Sequence, residues 1–101
     1  MEQPELKMDN YCKYVAYWRE QKGFVTQWEN MLEKLMLVVT EIAEATEAWR
    51  NDNTSNFDEE IADTFIRLMD ICGSCGIDIE AEINKKMRKN ELRPYLHGKR
   101  A

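Results

Sequence analysis

The chain has little that interrupts a helix and little that would hold a metal through nitrogen or sulfur. Four glycines and two prolines in 101 residues leave few breakers, and the abundance of Glu, Lys, Leu, Ala and Met favours helix. A single histidine, His97, excludes the paired Glu-x-x-His motifs that a di-iron carboxylate bundle needs. Three cysteines, an odd number, argue for reduced thiols rather than a disulfide framework. Cys72 and Cys75 have C-x-x-C spacing. They have no second pair to complete a zinc site and no βαβ context for a redox site, so they read as packing at a helix end. No apolar run approaches the roughly 18–20 residues that span a bilayer. The opening residues, MEQPELKMDN, lack the basic and apolar regions of a signal peptide. A cytoplasmic protein is expected.

The length suits one domain, residues 1–101, with a basic tail over 94–101. So short a chain buries a modest share of its surface, and apolar surface beyond one core would favour self-association. Positive charge is scarce in most of the chain. Residues 1–84 carry 7 Lys/Arg against 18 Asp/Glu, whereas residues 85–101 carry 7 Lys/Arg against Glu91 alone. An acidic body excludes the broad basic face of a duplex nucleic-acid binder. A basic end beside an acidic core suits a polyphosphate ligand shared between a metal and cations; a solvated helix end complementing the macrodipole is the competing account.

Four helical segments are expected. The first runs from about Leu6 to Gln21, with Met8, Tyr11, Cys12, Val15 and Trp18 on one stripe and Gly23 just past the end. The second runs from about Trp28 to Asn51. Leu32, Leu35, Met36, Val39, Ile42, Ala43, Thr46 and Trp49 form its core-facing stripe. Met31, Leu37, Val38, Ala45 and Ala48 form another beside it, with Glu41 and Glu44 embedded. A helix apolar on two faces must be covered on both, and a second subunit is the expected cover. The break NDNTSN precedes a third helix from Phe57 to Cys72, with Asn56 as N-cap and Glu59 completing a capping box. Its stripe is Ile61, Ala62, Phe65, Ile66, Leu68, Met69 and Cys72, and Gly73 and Gly76 end it. Asp78 caps a fourth helix through to about Glu91, closed by Pro94. Short connections make neighbours antiparallel, so the expected fold is an all-α, antiparallel four-helix bundle.

Within these helices, Glu41-Ile-Ala-Glu44 and Glu60-Ile-Ala-Asp63 carry the chemistry. Residues three apart on a helix share a face, with Cβ atoms about 5–6 Å apart. The two helices are adjacent and antiparallel, so the pairs lie within about a turn of the same height. Four carboxylates aimed at one point repel unless a cation intervenes. An all-oxygen, anionic donor set selects Mg²⁺, with Mn²⁺ as a substitute, over zinc.

From Leu35 to Arg93 the chain resembles the MazG-like all-α nucleoside triphosphate pyrophosphohydrolases. The pattern is E-x-x-E at Glu41/Glu44, a gap of 15 residues, E-x-x-D at Glu60/Asp63, then Lys86-Met-Arg-Lys89-Asn90. The resemblance implies an all-α NTP pyrophosphatase-type fold completed by homo-oligomerisation, as a dimer or a dimer of dimers. It implies Mg²⁺-dependent conversion of a nucleoside or deoxynucleoside triphosphate to its monophosphate and pyrophosphate, a nucleotide house-cleaning activity. By position, Glu41, Glu44, Glu60 and Asp63 become metal ligands, and Lys86, Lys89, Asn90 and Arg93 phosphate contacts.

Glu41 and Glu44 are the candidate general bases, since a carboxylate not fully committed to the metal can take the attacking water's proton. Trp28, at the entrance of the second helix, is the candidate nucleobase contact, whereas Trp49 reads as core. A phosphoribosyl-ATP pyrophosphohydrolase shares the same carboxylate logic. A non-catalytic helical oligomerisation or nucleotide-binding module is the alternative from another class. Neither a membrane nor duplex nucleic acid is an expected partner.

Overall fold

Asp78 and Gly23 act as the sequence predicts, and among the described residues all regular structure is helical. The computed structural model describes residues 8–93. It comprises α1 (Asp9–Gln21), α2 (Met31–Arg50), α3 (Thr54–Cys75) and α4 (Ile79–Leu92), with a one-turn 3₁₀ helix, Trp28–Asn30, leading into α2. Among the described residues there is no strand. The expected start of the first helix at Leu6, the closing Pro94 and the 94–101 tail with His97 lie outside the described residues.

The helix ends show why the boundaries fall where they do. Gly23, at φ +90, lets the chain turn after α1. The N–H groups of Gly23 and Phe24 donate to the carbonyls of Glu20 and Arg19, a Schellman pattern, and the Arg19 guanidinium stacks 5.0 Å from the Phe24 ring centroid. Asp78 accepts from the Ala81 N–H at the start of α4, and Gly76, at φ +68, closes α3.

Both boundaries of α3 differ from expectation. The third helix begins at Thr54 with Asn53 as its cap, accepting from the N–H of Asn56, so the Asn56/Glu59 capping box is not used. Both asparagines are competent caps; the earlier one wins because Asp52, in left-handed conformation at φ 52, completes the turn within Asn51–Asn53. Gly73 does not end α3 but lies inside it, against α1.

α3 is the central element, flanked by α2 on one side and α1 on the other, while α4 touches the other helices only slightly. Both flanking helices run antiparallel to α3. Glu41 of α2 meets Arg67 across the short Asn51–Asn53 turn, and Arg19 of α1 meets Asp70 while Cys12 meets Gly73. The N-termini of α1 and α4 cap each other. Glu80 accepts from the N–H groups of Met8 and Asp9, and Asp9 accepts from the N–H of Glu80.

The core is small: Cys12, Val15, Val38, Ala45, Ala48, Ile71 and Cys72, with Thr26, Lys34, Glu41 and Asp70 buried beside it. This corrects the assignment of faces on α2. The stripe expected to form the core points outward, with Leu32 at 73% exposure and Leu35, Met36, Val39, Ile42 and Trp49 also exposed. The stripe carrying Glu41, Val38, Ala45 and Ala48 faces α3. Small side chains at Ala45 and Ala48 let the helices approach, which larger residues at those positions would prevent. On α3 likewise, Ile61, Phe65, Ile66 and Leu68 are exposed, and on α1 Tyr11 and Trp18 are exposed while Cys12 and Val15 are buried.

Asp70 organises the other interface. It accepts from Thr26 Oγ1 at 2.5 Å and from Ser74 Oγ at 3.2 Å, and pairs with Arg19 Nε at 3.3 Å. This network ties the segment after α1 to α3. Cys12 and Cys72 are buried free thiols and Cys75 is an exposed one. Burial pushes the Cys12 and Cys72 thiols up, so they stay protonated at neutral pH.

Candidate functional site

The α2–α3 pairing brings acids from the two helices together. Carboxylate oxygens of Glu41, Glu60 and Asp63 lie within 4.8 Å of one another. Glu41 is buried, Glu60 half-buried and Asp63 exposed, so the cluster forms a cup open on one side. Helical spacing sets this arrangement: Glu60 and Asp63 are one turn apart on α3, and the antiparallel register places Glu41 across from them.

Glu44 stands at the rim. It is exposed and is not among the three clustered carboxylates. Its carboxylate is nevertheless close enough to Glu60 to act on it. Hydrogen bonding to Glu44, then to Glu41, followed by loss of water, pushes the Glu60 carboxyl up from 4.5 to about 7. The cause is a shortage of donors. When all three carboxylates are ionised they can only accept, and Glu60 Oε2 is buried with no hydrogen-bond partner. A proton on Glu60 supplies the missing donor; a cation would relieve the same crowding.

One cation is already in place. Arg67 Nε donates to Glu41 Oε1 at 3.0 Å. Arg67 lies one turn beyond Asp63 and two beyond Glu60 on the same face of α3. Sequence reading missed it, although its i+4 spacing from Asp63 was a usable signal. It also missed Asp70, whose partners come from other parts of the chain.

The remaining predicted residues are not gathered at this point. Lys86, Lys89, Asn90 and Arg93 occupy the second half and end of α4. No hydrogen bond or ion pair among the described residues joins them to the carboxylates. Lys86, Lys89 and Arg93 are exposed, and Asn90 is half-buried with a buried Oδ1 that lacks a partner. Trp28 is 81% exposed in the 3₁₀ turn ahead of α2. Trp49, expected in the core, is instead 70% exposed, since it belongs to the outward stripe. It lines a cavity of about 190 Å³ with Phe57, Asp52 and Asn53 at the α2–α3 turn.

Comparison of the chain with protein-family models, with curated proteins and with solved structures gives no match. Among the described residues no helix is long and apolar enough to cross a membrane.

Proposed function

We propose that this chain is a Mg²⁺-dependent nucleoside triphosphate pyrophosphohydrolase of the MazG-like type, acting in the cytoplasm as a homo-oligomer. The observation that supports it best is the position of Glu60, whose buried Oε2 has no donor and whose carboxyl is crowded by Glu44 and Glu41. An all-oxygen set of this kind suits a hard divalent cation. Glu41, Glu60 and Asp63 would hold it, with Glu44 at the rim. When bound, the ion supplies Lewis-acid neutralisation of phosphate charge and a more acidic, oriented water.

Glu41 is engaged by Arg67, whereas Glu44 is exposed and outside the clustered set. Glu44 is therefore the better general base. It takes the proton of the attacking water as the water oxygen bonds to the α-phosphorus, and the α–β bridging oxygen leaves with pyrophosphate. The exposed apolar stripe of α2, together with exposed Ile61, Phe65 and Leu68 of α3, supports burial against another copy of the chain. Lys86, Lys89, Asn90 and Arg93, on or at the end of a helix that touches the other described helices only slightly, suit phosphate contacts in a site completed by that copy. Trp28 is exposed and available to stack on a base.

Pyrophosphate release from a panel of nucleoside and deoxynucleoside triphosphates, with and without Mg²⁺, tests the reading. Release that requires Mg²⁺ is expected for at least one nucleotide. Glu41→Gln and Asp63→Asn should each abolish it while the helical circular dichroism stays intact. Absence of release across the panel, or near-normal turnover in either variant, overturns the proposal.

A further inference from the structure

The carboxylate cup poses a charge problem that a metal alone does not solve. Glu41, Glu44, Glu60 and Asp63 together carry more negative charge than one divalent ion cancels, and a triphosphate brings still more. An anionic substrate approaching an acidic site requires a cation beside it. Among the described residues, Arg67 is the cation in contact with the cluster.

Its geometry is that of a half-used donor. A guanidinium carries five N–H donors in a planar fork, and here Nε alone is engaged, on Glu41 Oε1. No other hydrogen bond among the described residues uses the fork. Its side chain is 26% exposed, against 10% for that of Glu41, so solvent reaches the arginine where it stands beside the cup. Arg19 also meets its buried carboxylate through Nε, but its side chain is only 12% exposed, whereas that of Arg67 is more open to solvent and stands beside the acid cluster.

We propose that Arg67 is a phosphate contact of this site, with Nε holding Glu41 in place and the terminal amino groups taking a phosphate oxygen of the substrate. The inference rests on the metal-site reading above and adds a residue that sequence resemblance did not supply. The two roles are coupled. Arg67 competes with a metal for the charge of Glu41, yet favours the polyphosphate that follows.

The test is calorimetric titration of the full chain with Mg²⁺, and then, at saturating Mg²⁺, with imidodiphosphate, a pyrophosphate mimic that resists hydrolysis. In Arg67→Gln, Mg²⁺ should bind about 3–10-fold more tightly, because a competing cation has gone. Imidodiphosphate should bind roughly 10–100-fold more weakly, as expected for loss of a charge-assisted hydrogen bond. Arg67→Lys, which keeps the charge, should restore Mg²⁺ affinity and recover imidodiphosphate binding to within about fivefold of wild type. The opposite signs for the two ligands distinguish a phosphate contact from a structural prop, whose loss would weaken both. Unchanged imidodiphosphate affinity in Arg67→Gln, or parallel weakening of both ligands in both variants, overturns the inference alone. Wild-type protein that takes up no Mg²⁺ overturns the metal-site reading and this inference with it.

Discussion

Gly73 of α3 lies directly on the backbone of Cys12 in α1. A Cβ at Gly73 would overlap the Cys12 carbonyl oxygen, and would stand 2.8 Å from its carbonyl carbon and 2.9 Å from the Ala16 Cβ. The obstacle is main chain, which cannot rotate away. Gly73→Ala should therefore destabilise the fold by about 1–3 kcal/mol. That is the net outcome even though alanine is favoured over glycine within a helix by up to about 1 kcal/mol. Gly76→Ala, at φ +68 with open space around it, should cost about 1–2 kcal/mol through backbone strain alone. Urea midpoints measure both, and a Gly73→Ala protein as stable as wild type would contradict the close α1–α3 contact.

Asp70 accepts hydrogen bonds from Thr26 and Ser74 and forms an ion pair with Arg19, with its side chain only 4% exposed and that of Arg19 only 12%. Asp70→Ala removes the partner of a nearly buried guanidinium and should cost about 3–5 kcal/mol. Asp70→Asn retains an acceptor for the hydroxyls and should cost less. Equal midpoints for wild type and Asp70→Ala in urea unfolding would show that the network contributes nothing.

Glu60 makes the metal-free protein pH-sensitive. Its carboxyl is raised from 4.5 to about 7, so in this window the folded chain keeps a proton that the unfolded chain has lost. The Glu60 contribution to folding stability therefore falls as pH rises from about 4.5 through 7, because the unfolded state binds fewer protons at this group. In EDTA the melting temperature should drop across this range, and Glu60→Gln should flatten the dependence. Mg²⁺ at pH 7.5 should reverse the drop; at roughly 100 times its Kd a ligand adds about 2.7 kcal/mol. A melting temperature that rises from pH 5 to 7 in EDTA, in wild type as in Glu60→Gln, would rule out the crowding at Glu60.

Val39 sits in the middle of the outward apolar stripe and is half-exposed within its own chain. Val39→Lys should leave the monomer fold intact while splitting the proposed oligomer, read by light scattering coupled to gel filtration. Wild type should elute as a dimer or larger and the variant as a monomer. If both elute as monomers, the stripe has no homo-oligomeric role.

Several features were legible in the residues because their causes are local. Gly23 and Asp78 mark helix ends through conformations and hydrogen bonds spanning a few residues. The joining of Glu41 with Glu60 and Asp63 follows from helical periodicity and an antiparallel turn. The two stripes of α2 were also visible as periodicity, but their ranking was not. Hydrophobicity favours Leu32, Leu35, Met36 and Val39, whereas the α2–α3 contact goes to the face with Val38, Ala45 and Ala48, where small side chains permit close approach. That choice depends on the partner surface. So do the pairing of Arg67 with Glu41 and the gathering of Thr26, Arg19 and Ser74 around Asp70, since each joins residues far apart in the chain. The sequence alone thus determined the helices and which acids could converge; the tertiary structure decided which face they occupy and which cation answers them, because both depend on distances between helices.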